Sequence, residues 1–404
     1  MRRFLLLLPL LCAQPALACM NDRDSDSLAL QAQKFPDTLR VITGRFERNP
    51  PLFYQMRIQR SLAQLKKTPR EFGLYDDIAV AYDRLHRDDE ALEIMAKKRA
   101  LLPPFDAKNA KMKEAWYRYY ANAGTFRAHR FLGANPQKIK EMQTARDFIK
   151  RAIEIKPNAH FGREKYQLMA MEWILAVHER KGKNIFSLGR WIKDRDKWEE
   201  TWEFGSGPAP KRATATAGLS GLIVLGAAWE SADIFEALGE ALQSKDGITL
   251  RYLTLLRCRE ILQSGKKPLN MSLNVASVGY ELPGDDYAMQ TGIAVNKANQ
   301  KTLDALYLTL RAEAEDWNTK RQSYMLSRLE KGQHPDTDAQ FWSEWKPAAP
   351  PSLQVDWFNE KQQKKENRER LKSRVSTAFN TLFVTIFAAM CWMMWRVIKS
   401  RKRT

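Results

Sequence analysis

The chain has 404 residues, of which 44% are hydrophobic, and it carries a formal net charge of +19. Its length suits two ordinary domains or one extended repeat array, and its apolar content excludes wholesale disorder. Four cysteines are too few for a disulfide-built scaffold. Because Leu, Ala, Glu, Lys and Arg dominate while Val and Ile are modest, the composition predicts an all-α fold.

The first predicted element is a secretory signal peptide over residues 1–18. Arg2 and Arg3 precede an apolar run over residues 4–11, and Ala16-Leu17-Ala18 supplies a small-x-small cleavage pattern. The apolar run is too short to cross a bilayer. We therefore expect cleavage after Ala18, which exports the chain and leaves Cys19 as its first residue.

The two cysteines of the exported part, Cys19 and Cys258, leave alternatives open. A bacterial lipoprotein signal also places Cys directly after the cleavage site, so Cys19 is a candidate for lipidation. The three residues before it depart from the usual lipoprotein pattern, which favours a plain cysteine. One disulfide between Cys19 and Cys258 is compatible with export, but a buried, reduced Cys258 is the more ordinary interpretation.

A helical pair is predicted between Pro69 and Pro103, which lie 34 residues apart. Thr68-Pro69-Arg70-Glu71 has the pattern of a capping box at the start of its first helix. The intervening pattern is Tyr75-x₂-Ile78-Ala79-x₂-Tyr82 followed by Ala91-x₃-Met95. This pattern resembles one tetratricopeptide repeat (TPR). The resemblance implies two antiparallel helices that approach closely at Ala79 and Ala91.

A second, partial unit follows the first. Ala145-x₃-Ile149-x₂-Ala152 has the second-helix spacing again, and residues 116–129 would form the first helix. Additional helices are predicted over residues 51–67 and 161–180. The resemblance covers roughly residues 50 to 180. It implies a TPR-like helical-hairpin solenoid with irregular insertions, over a region that we take as 19–180.

The remaining boundaries follow breaker residues and charge. Gly218, Gly221 and Gly226 are expected at helix–helix contacts, and residues 271–280 alternate like a short strand. Residues 302–331 are predicted to form one long helix. The predicted regions are an irregular insertion (181–217), a second helical region (218–346), a Pro-rich link and basic stalk (347–374), a transmembrane helix (375–395) and a basic cytoplasmic tail (396–404).

The predicted membrane helix, residues 375–395, contains no charged residue. As a helix it reaches about 31 Å, enough to cross a hydrocarbon core of about 30 Å. A buried core helix is the alternative. Because the signal exports the preceding chain, this helix stops transfer and leaves the basic tail inside. We expect a single-pass membrane protein whose bulk is non-cytoplasmic, or periplasmic in a bacterium.

The positive charge indicates lipid rather than nucleic acid. Much of it lies in the signal, the tail and residues 361–374, so the exported body has only a modest excess. Residues 361–374 are expected to lie on anionic lipid headgroups, although a solvated helical stalk explains them equally well. No nucleic-acid partner is predicted.

No catalytic residue, cofactor or metal ligand is predicted. The five histidines show no metal-binding spacing, and no P-loop or nucleophile elbow is present. The acidic run Asp88-Asp89-Glu90 is interpreted as a helix N-terminus without chemistry. The sequence therefore gives little support to an enzyme.

Two functions are weighed. The first is a non-catalytic, membrane-anchored scaffold that binds an unidentified protein partner on its exported side. The resemblance implies that Asp76, Val80, Asp83 and Arg84 line the partner-binding face. The alternative is an envelope enzyme with a site in the irregular regions 181–217 or 266–296. A structural subunit of a membrane assembly would differ from the scaffold only in the permanence of its contacts.

Overall fold

The computed structural model describes residues 21–23, 37–133, 138–157, 159–181, 185–198, 210–226, 228–243, 247–278, 300–351 and 353. Regular structure in these ranges is entirely helical, which confirms the all-α prediction. No helix in these ranges is long and apolar enough to cross a membrane. The predicted signal peptide, Cys19, the transmembrane helix and the tail lie outside the described residues, as does nearly all of the basic stalk.

Twelve α-helices are present in the described part of the chain. They are α1 (Thr38–Thr43), α2 (Pro51–Lys67), α3 (Phe72–Arg84), α4 (Asp88–Leu101), α5 (Ala110–Gly133), α6 (Ile139–Ile155), α7 (Arg163–Glu179), α8 (Leu188–Asp196), α9 (Pro210–Val224), α10 (Ala232–Ala241), α11 (Ile248–Gln263) and α12 (Gln300–Leu329). Each helix from α2 to α7 packs against the next along the chain, and so do α9, α10 and α11. Helix α8 packs against α7 and α10.

The helical pair predicted between Pro69 and Pro103 is present as α3 and α4. Ala79 and Ala91 have no exposed surface, and they share a core cluster with Ile78 and Met95. Small side chains at the contact let the two helix axes approach closely. The local sequence pattern therefore placed this pair and its contact face correctly.

The predicted capping box at Thr68 is wrong. Helix α3 begins at Phe72, and the N-cap Glu71 makes no side-chain cap hydrogen bond. Thr68 instead follows the end of α2, where its hydroxyl donates to the Gln64 carbonyl at 3.1 Å. A Thr side chain can bond the carbonyl four residues earlier, and here that local bond ends one helix rather than starting the next.

The second predicted pair is present as α5 and α6. Aromatic stacking accommodates the large Tyr120, whose ring stacks on Trp116 at a centroid distance of 5.6 Å and meets Phe148 edge-on at 5.4 Å. Close backbone approach occurs instead at Gly124, where an added Cβ would lie 3.0 Å from the Ala145 carbonyl oxygen. The small residue of this pair is thus one helical turn beyond the position that the repeat pattern indicates.

Glycines of α9 make the predicted helix–helix contact with α7. An added Cβ on Gly218 would overlap the Tyr166 ring, and one on Gly221 would lie 3.1 Å from Cδ of Arg163. The Tyr166 ring has little freedom to retreat, because its hydroxyl donates to the Asp196 carboxylate at 3.0 Å. Gly218 therefore sets the spacing between α7 and α9.

We expect Gly218→Ala to destabilise the protein by about 1–3 kcal/mol through overpacking. A Gly to Ala change within a helix otherwise stabilises by roughly 0.5–1 kcal/mol. Gly73→Ala in α3 is the matched control, since the atom nearest to its added Cβ is 3.7 Å away. Urea unfolding followed by circular dichroism measures both variants. Equal urea midpoints for Gly218→Ala and Gly73→Ala would contradict the close contact between Gly218 and Tyr166.

The strand-like alternation over residues 271–280 does not produce a strand in its described part, residues 271–278. The Asn270 side-chain oxygen accepts from the Ser272 backbone N–H at 3.1 Å. Asn274 does the same for Ala276 and Ser277, both at 3.0 Å. Asn side chains that bond nearby backbone groups favour turns over sheet ladders. The prediction of a strand here was wrong for that reason.

Helix α12 brings the end of the array back to its beginning. It packs against α11 and also against α1 and α2. Phe53 of α2 shares a core cluster with Met325 and Leu329 of α12 and with Phe341 beyond it. The unit formed in this way extends to Pro351. Residues from both ends of the unit can therefore meet in one interior.

Candidate functional site

The face of α3 that was predicted to bind a partner is covered by other parts of the same chain. Asp76, Val80 and Asp83 are buried, with at most 4% of their surface exposed. Arg84 is half-buried and donates to the Leu225 and Gly226 carbonyls at 3.0 and 2.6 Å. Partner binding at these four residues stays a prediction, and it would require covering segments of the chain to move.

The interior end of this face is a buried ion pair. The Lys98 ammonium donates to both Asp76 carboxylate oxygens at 2.6 and 2.7 Å, and Asn122 Nδ2 adds a third bond at 3.1 Å. Burial raises the pKa of the Asp76 carboxyl, which the Lys98 charge opposes. Burial also lowers the pKa of Lys98, which the Asp76 charge opposes. The pair persists because each charge offsets the desolvation of the other.

Beside this pair, Asn122 holds the backbone of Asn21. The Asn21 N–H donates to Asn122 Oδ1 at 2.8 Å, and Asn122 Nδ2 donates to the Asn21 carbonyl at 2.9 Å. One amide side chain thus satisfies both backbone groups of one residue. This contact does not depend on the side chain of the residue that is held, so it recognises the backbone itself.

Charges fix the next two residues of this N-terminal segment, defined as residues 21–23. Asp77 accepts from the Arg23 backbone N–H at 3.1 Å and from its Nε at 2.8 Å. Asp336, beyond α12, lies 3.5 Å from Arg23 Nη1. On the other side Arg57 of α2 lies 3.4 Å from the Asp22 carboxylate. The segment joins the first helices of the array to residues that follow the last one.

A deeper wall of the same interior comes from α5 and α7. The Tyr117 hydroxyl donates to Glu164 at 2.7 Å and lies 3.3 Å from Asn21 Oδ1. Glu164 also pairs with Arg163 at 3.2 Å, and both side chains are buried. Polar groups line this region and bond one another, as buried polar networks must.

The irregular region acts as a cap in its described part. The Trp191 indole donates to the Met169 carbonyl of α7 at 3.1 Å. Trp198 is buried and donates to Asp196 at 3.1 Å, the same carboxylate that accepts from Tyr166. These contacts are the ones expected of indole rings that pack over α7, since a buried indole N–H usually has a hydrogen-bond acceptor. Residues 199–209 and 279–296 of the regions considered for an enzyme site lie outside the described residues.

Cys258 is a free, buried thiol in α11. Its Sγ donates to the Ala232 carbonyl at 3.4 Å, and burial raises the pKa of the thiol well above its usual value. A thiol in this environment is unreactive.

Several residues of the interior were not identified from the sequence, notably Asn21, Lys98 and Asn122. For two of these residues the sequence pattern did indicate a buried position. Lys98 follows Ala91 by seven positions, and Asn122 precedes His129 by seven, so each lies on the buried face of its helix. A polar residue at an apolar-stripe position indicates a buried partner, although the partner's identity depends on tertiary packing.

The chain was compared with family models, curated proteins and solved structures. No family model, no curated protein and no solved structure matches the chain.

Proposed function

We propose that this protein is a non-catalytic scaffold of TPR-like architecture, anchored in a membrane by residues 375–395, that binds a short segment of a partner protein on its exported side. The observation that carries the proposal is the paired hydrogen bonding of Asn122 to the backbone of Asn21. It supports the proposal because the inner face of the helices already holds a short segment, residues 21–23, through contacts to its backbone.

The chemistry of the face indicates which partner segments fit. Asp77 and Asp336 both face Arg23, so a competing segment with Arg or Lys at the equivalent place would keep those pairs. The Arg23 side chain is 39% exposed, so this end of the segment is the more accessible one. We expect the partner segment to be basic and to compete with residues 21–23 for the same face.

This competition predicts that Arg23→Glu increases partner binding. A glutamate beside Asp77 and Asp336 repels both carboxylates and releases the N-terminal segment. Apparent affinity then rises in proportion to the fraction of open face, by roughly tenfold for each 1.4 kcal/mol of lost segment binding. The measurement is binding of a labelled peptide of residues 19–30 to the full chain in mild detergent, by fluorescence anisotropy.

Three controls make this test specific. Asn122→Ala, checked for helical content, should abolish peptide binding in the Arg23→Glu background. Arg190→Glu, which changes a half-exposed arginine of α8 paired with Asp194, should leave binding unchanged. Partners that co-purify from solubilised membranes should respond in the same directions. If the peptide binds Arg23→Glu no better than the unmodified chain, competition on this face is excluded.

The proposed placement has its own test. A reporter enzyme that is active only in the cytoplasm should be active when it is fused after residue 404. The same enzyme should be inactive when it is fused after residue 351. Protease added outside should degrade the body and spare the tail. Activity of the fusion after residue 351 would overturn the orientation, since the positive-inside tail and the export signal both require the opposite result.

A further inference from the structure

Three side chains that are common metal ligands meet where α3 ends and α4 begins. They are Asp83 of α3, Asp88 of α4 and His129 of α5. One ligand atom from each lies within 4.8 Å of the others. Asp83 and His129 are buried, and Asp88 is half-buried, so the cluster is reached from outside through Asp88.

A tight turn brings the two aspartates together. His86 adopts a left-handed backbone conformation with φ of 57°. Its N–H donates to the Asp83 carbonyl at 2.8 Å, and the Arg87 N–H donates to the Tyr82 carbonyl at 3.0 Å. A non-glycine residue at positive φ is uncommon and is held only when its surroundings fix it. This turn fixes Asp88 beside Asp83.

The cluster brings two carboxyl groups against one imidazole. His129 Nδ1 lies 2.6 Å from Asp83 Oδ1. Burial, the neighbouring Asp83 charge and a hydrogen bond to Asp83 raise the pKa of Asp88 to about 7. Burial disfavours the imidazolium of His129, but the charge of Asp83 and its hydrogen bond raise the pKa of that ring. A carboxyl group beside a second carboxylate keeps its proton to higher pH, and a bound cation can take the place of that proton.

Nearby arginines contact other groups. Arg84 donates to the Leu225 and Gly226 carbonyls, and Arg87 donates to Glu90 at 2.8 Å. Arg130 donates to Asp89 at 2.9 Å and to Glu141 at 2.6 Å. His129 Nε2 is buried with no hydrogen-bond partner among the described residues, so the ring's polar contact is directed at the carboxylates.

We propose that Asp83, Asp88 and His129 bind a divalent transition-metal ion of the zinc class, through one carboxylate oxygen of each aspartate and Nδ1 of His129. One nitrogen and two oxygens suit Zn²⁺ or Co²⁺, whereas Ca²⁺ and Mg²⁺ prefer oxygen ligands alone. Water completes the coordination on the open side at Asp88. The ion links α3, α4 and α5.

Binding requires small movements and releases protons. Ligands about 2.0–2.1 Å from a tetrahedral ion lie about 3.3 Å apart, so the 2.6 Å contact between His129 and Asp83 opens by less than 1 Å. The ion displaces the proton of the Asp88 carboxyl and the Nδ1 proton of the His129 imidazolium, while Nε2 keeps its own proton. Both displaced protons leave to solvent. Affinity therefore falls with decreasing pH, by about tenfold or more between pH 8 and pH 6.

The test uses the full chain in mild detergent after removal of metal with a chelator. Zn²⁺ uptake is measured by calorimetry, and Co²⁺ gives visible absorption bands that report its ligands. We expect one equivalent of Zn²⁺, a rise in Tm and competition between Zn²⁺ and Co²⁺. Asp88→Asn mimics the protonated side chain, so it should fold, and it should weaken binding by about 100-fold or more.

Asp89→Asn is the matched control, because Asp89 is exposed in the same helical turn and should leave binding unchanged. Uptake of less than one equivalent by the unmodified chain overturns the site. Equal binding by Asp88→Asn also overturns it, and so does preference for Ca²⁺ or Mg²⁺ over Zn²⁺. If Asp88→Asn does not fold, Asp88→Ser is measured in its place, and Zn²⁺ binding equal to that of the unmodified chain overturns the site.

Discussion

Lys98→Met is expected to destabilise the protein by about 3–5 kcal/mol, because it leaves the Asp76 carboxylate buried without its cation. Only Asn122 Nδ2 then remains beside that carboxylate among the contacts described above. Urea unfolding of the full chain, followed by circular dichroism, measures the loss. Lys97→Met is the control, since Lys97 is exposed one residue away and should change stability by less than about 0.5 kcal/mol.

The defect should depend on pH in a known direction. Without Lys98, burial raises the pKa of Asp76 further, so the folded variant binds a proton that the unfolded chain has lost. Stability from that proton is present at low pH and is lost as pH rises through the raised pKa. The loss should therefore be smaller at pH 5 than at pH 8. A pH-independent loss would show that packing, rather than charge, dominates at this position.

A double change separates charge from shape. Asp76→Leu combined with Lys98→Met removes both charges and should recover most of the stability lost in Lys98→Met alone. If the double variant is as unstable as the single one, the unpaired carboxylate is not the cause of the defect.

Arg57→Met is the second change with a large expected effect, about 3–5 kcal/mol. Nε and Nη2 of Arg57 donate to the two Asp336 carboxylate oxygens, at 2.8 and 2.7 Å, and the guanidinium lies over the Phe53 ring at 4.4 Å. Its loss leaves Asp336 with Arg23 as the nearest cation, at 3.5 Å. Hydrogen exchange should therefore increase around residues 330–341 as well as in α2.

Two neighbouring variants test this interpretation. Arg57→Lys keeps the charge but not the forked geometry, so it should recover only part of the stability. Arg60→Met removes a more exposed arginine that donates to Thr337 and to the Gly332 carbonyl, and it should cost about 1 kcal/mol or less. If hydrogen exchange changes only within α2 in Arg57→Met, the pair with Asp336 does not hold the two ends together.

Local patterns predicted the helices of the first half well. Helix α2 has the bounds that were expected, Pro51–Lys67, since proline favours a first helical turn and Thr-Pro ends the pattern. Ala79 and Ala91 lie at the contact that their spacing indicated. These features depend on residues within about 35 positions of one another, which is the range in which periodicity carries information.

The interior could not be predicted in the same way. The Asn21–Asn122 contact spans 101 residues and the Arg57–Asp336 contact spans 279. Nothing in the local pattern relates such residues. Asp88 was interpreted as a helix-end residue, which it is, but its proximity to Asp83 and His129 depends on the path of α5. The four residues predicted to bind a partner lie on or at the end of α3, and the segments that cover them were not foreseen.

The return of α12 to α1 and α2 has a consequence for how this molecule is made. An open repeat array can fold from its first units onward, because each unit contacts only its neighbours. Here the buried guanidinium of Arg57 in α2 cannot pair with Asp336 until that residue, 279 positions later, has been synthesised. Loop closure over that distance slows the last step, and the early helices remain incompletely paired until then. A chain truncated before Asp336 should therefore be retained by chaperones rather than accumulate as a shorter stable product.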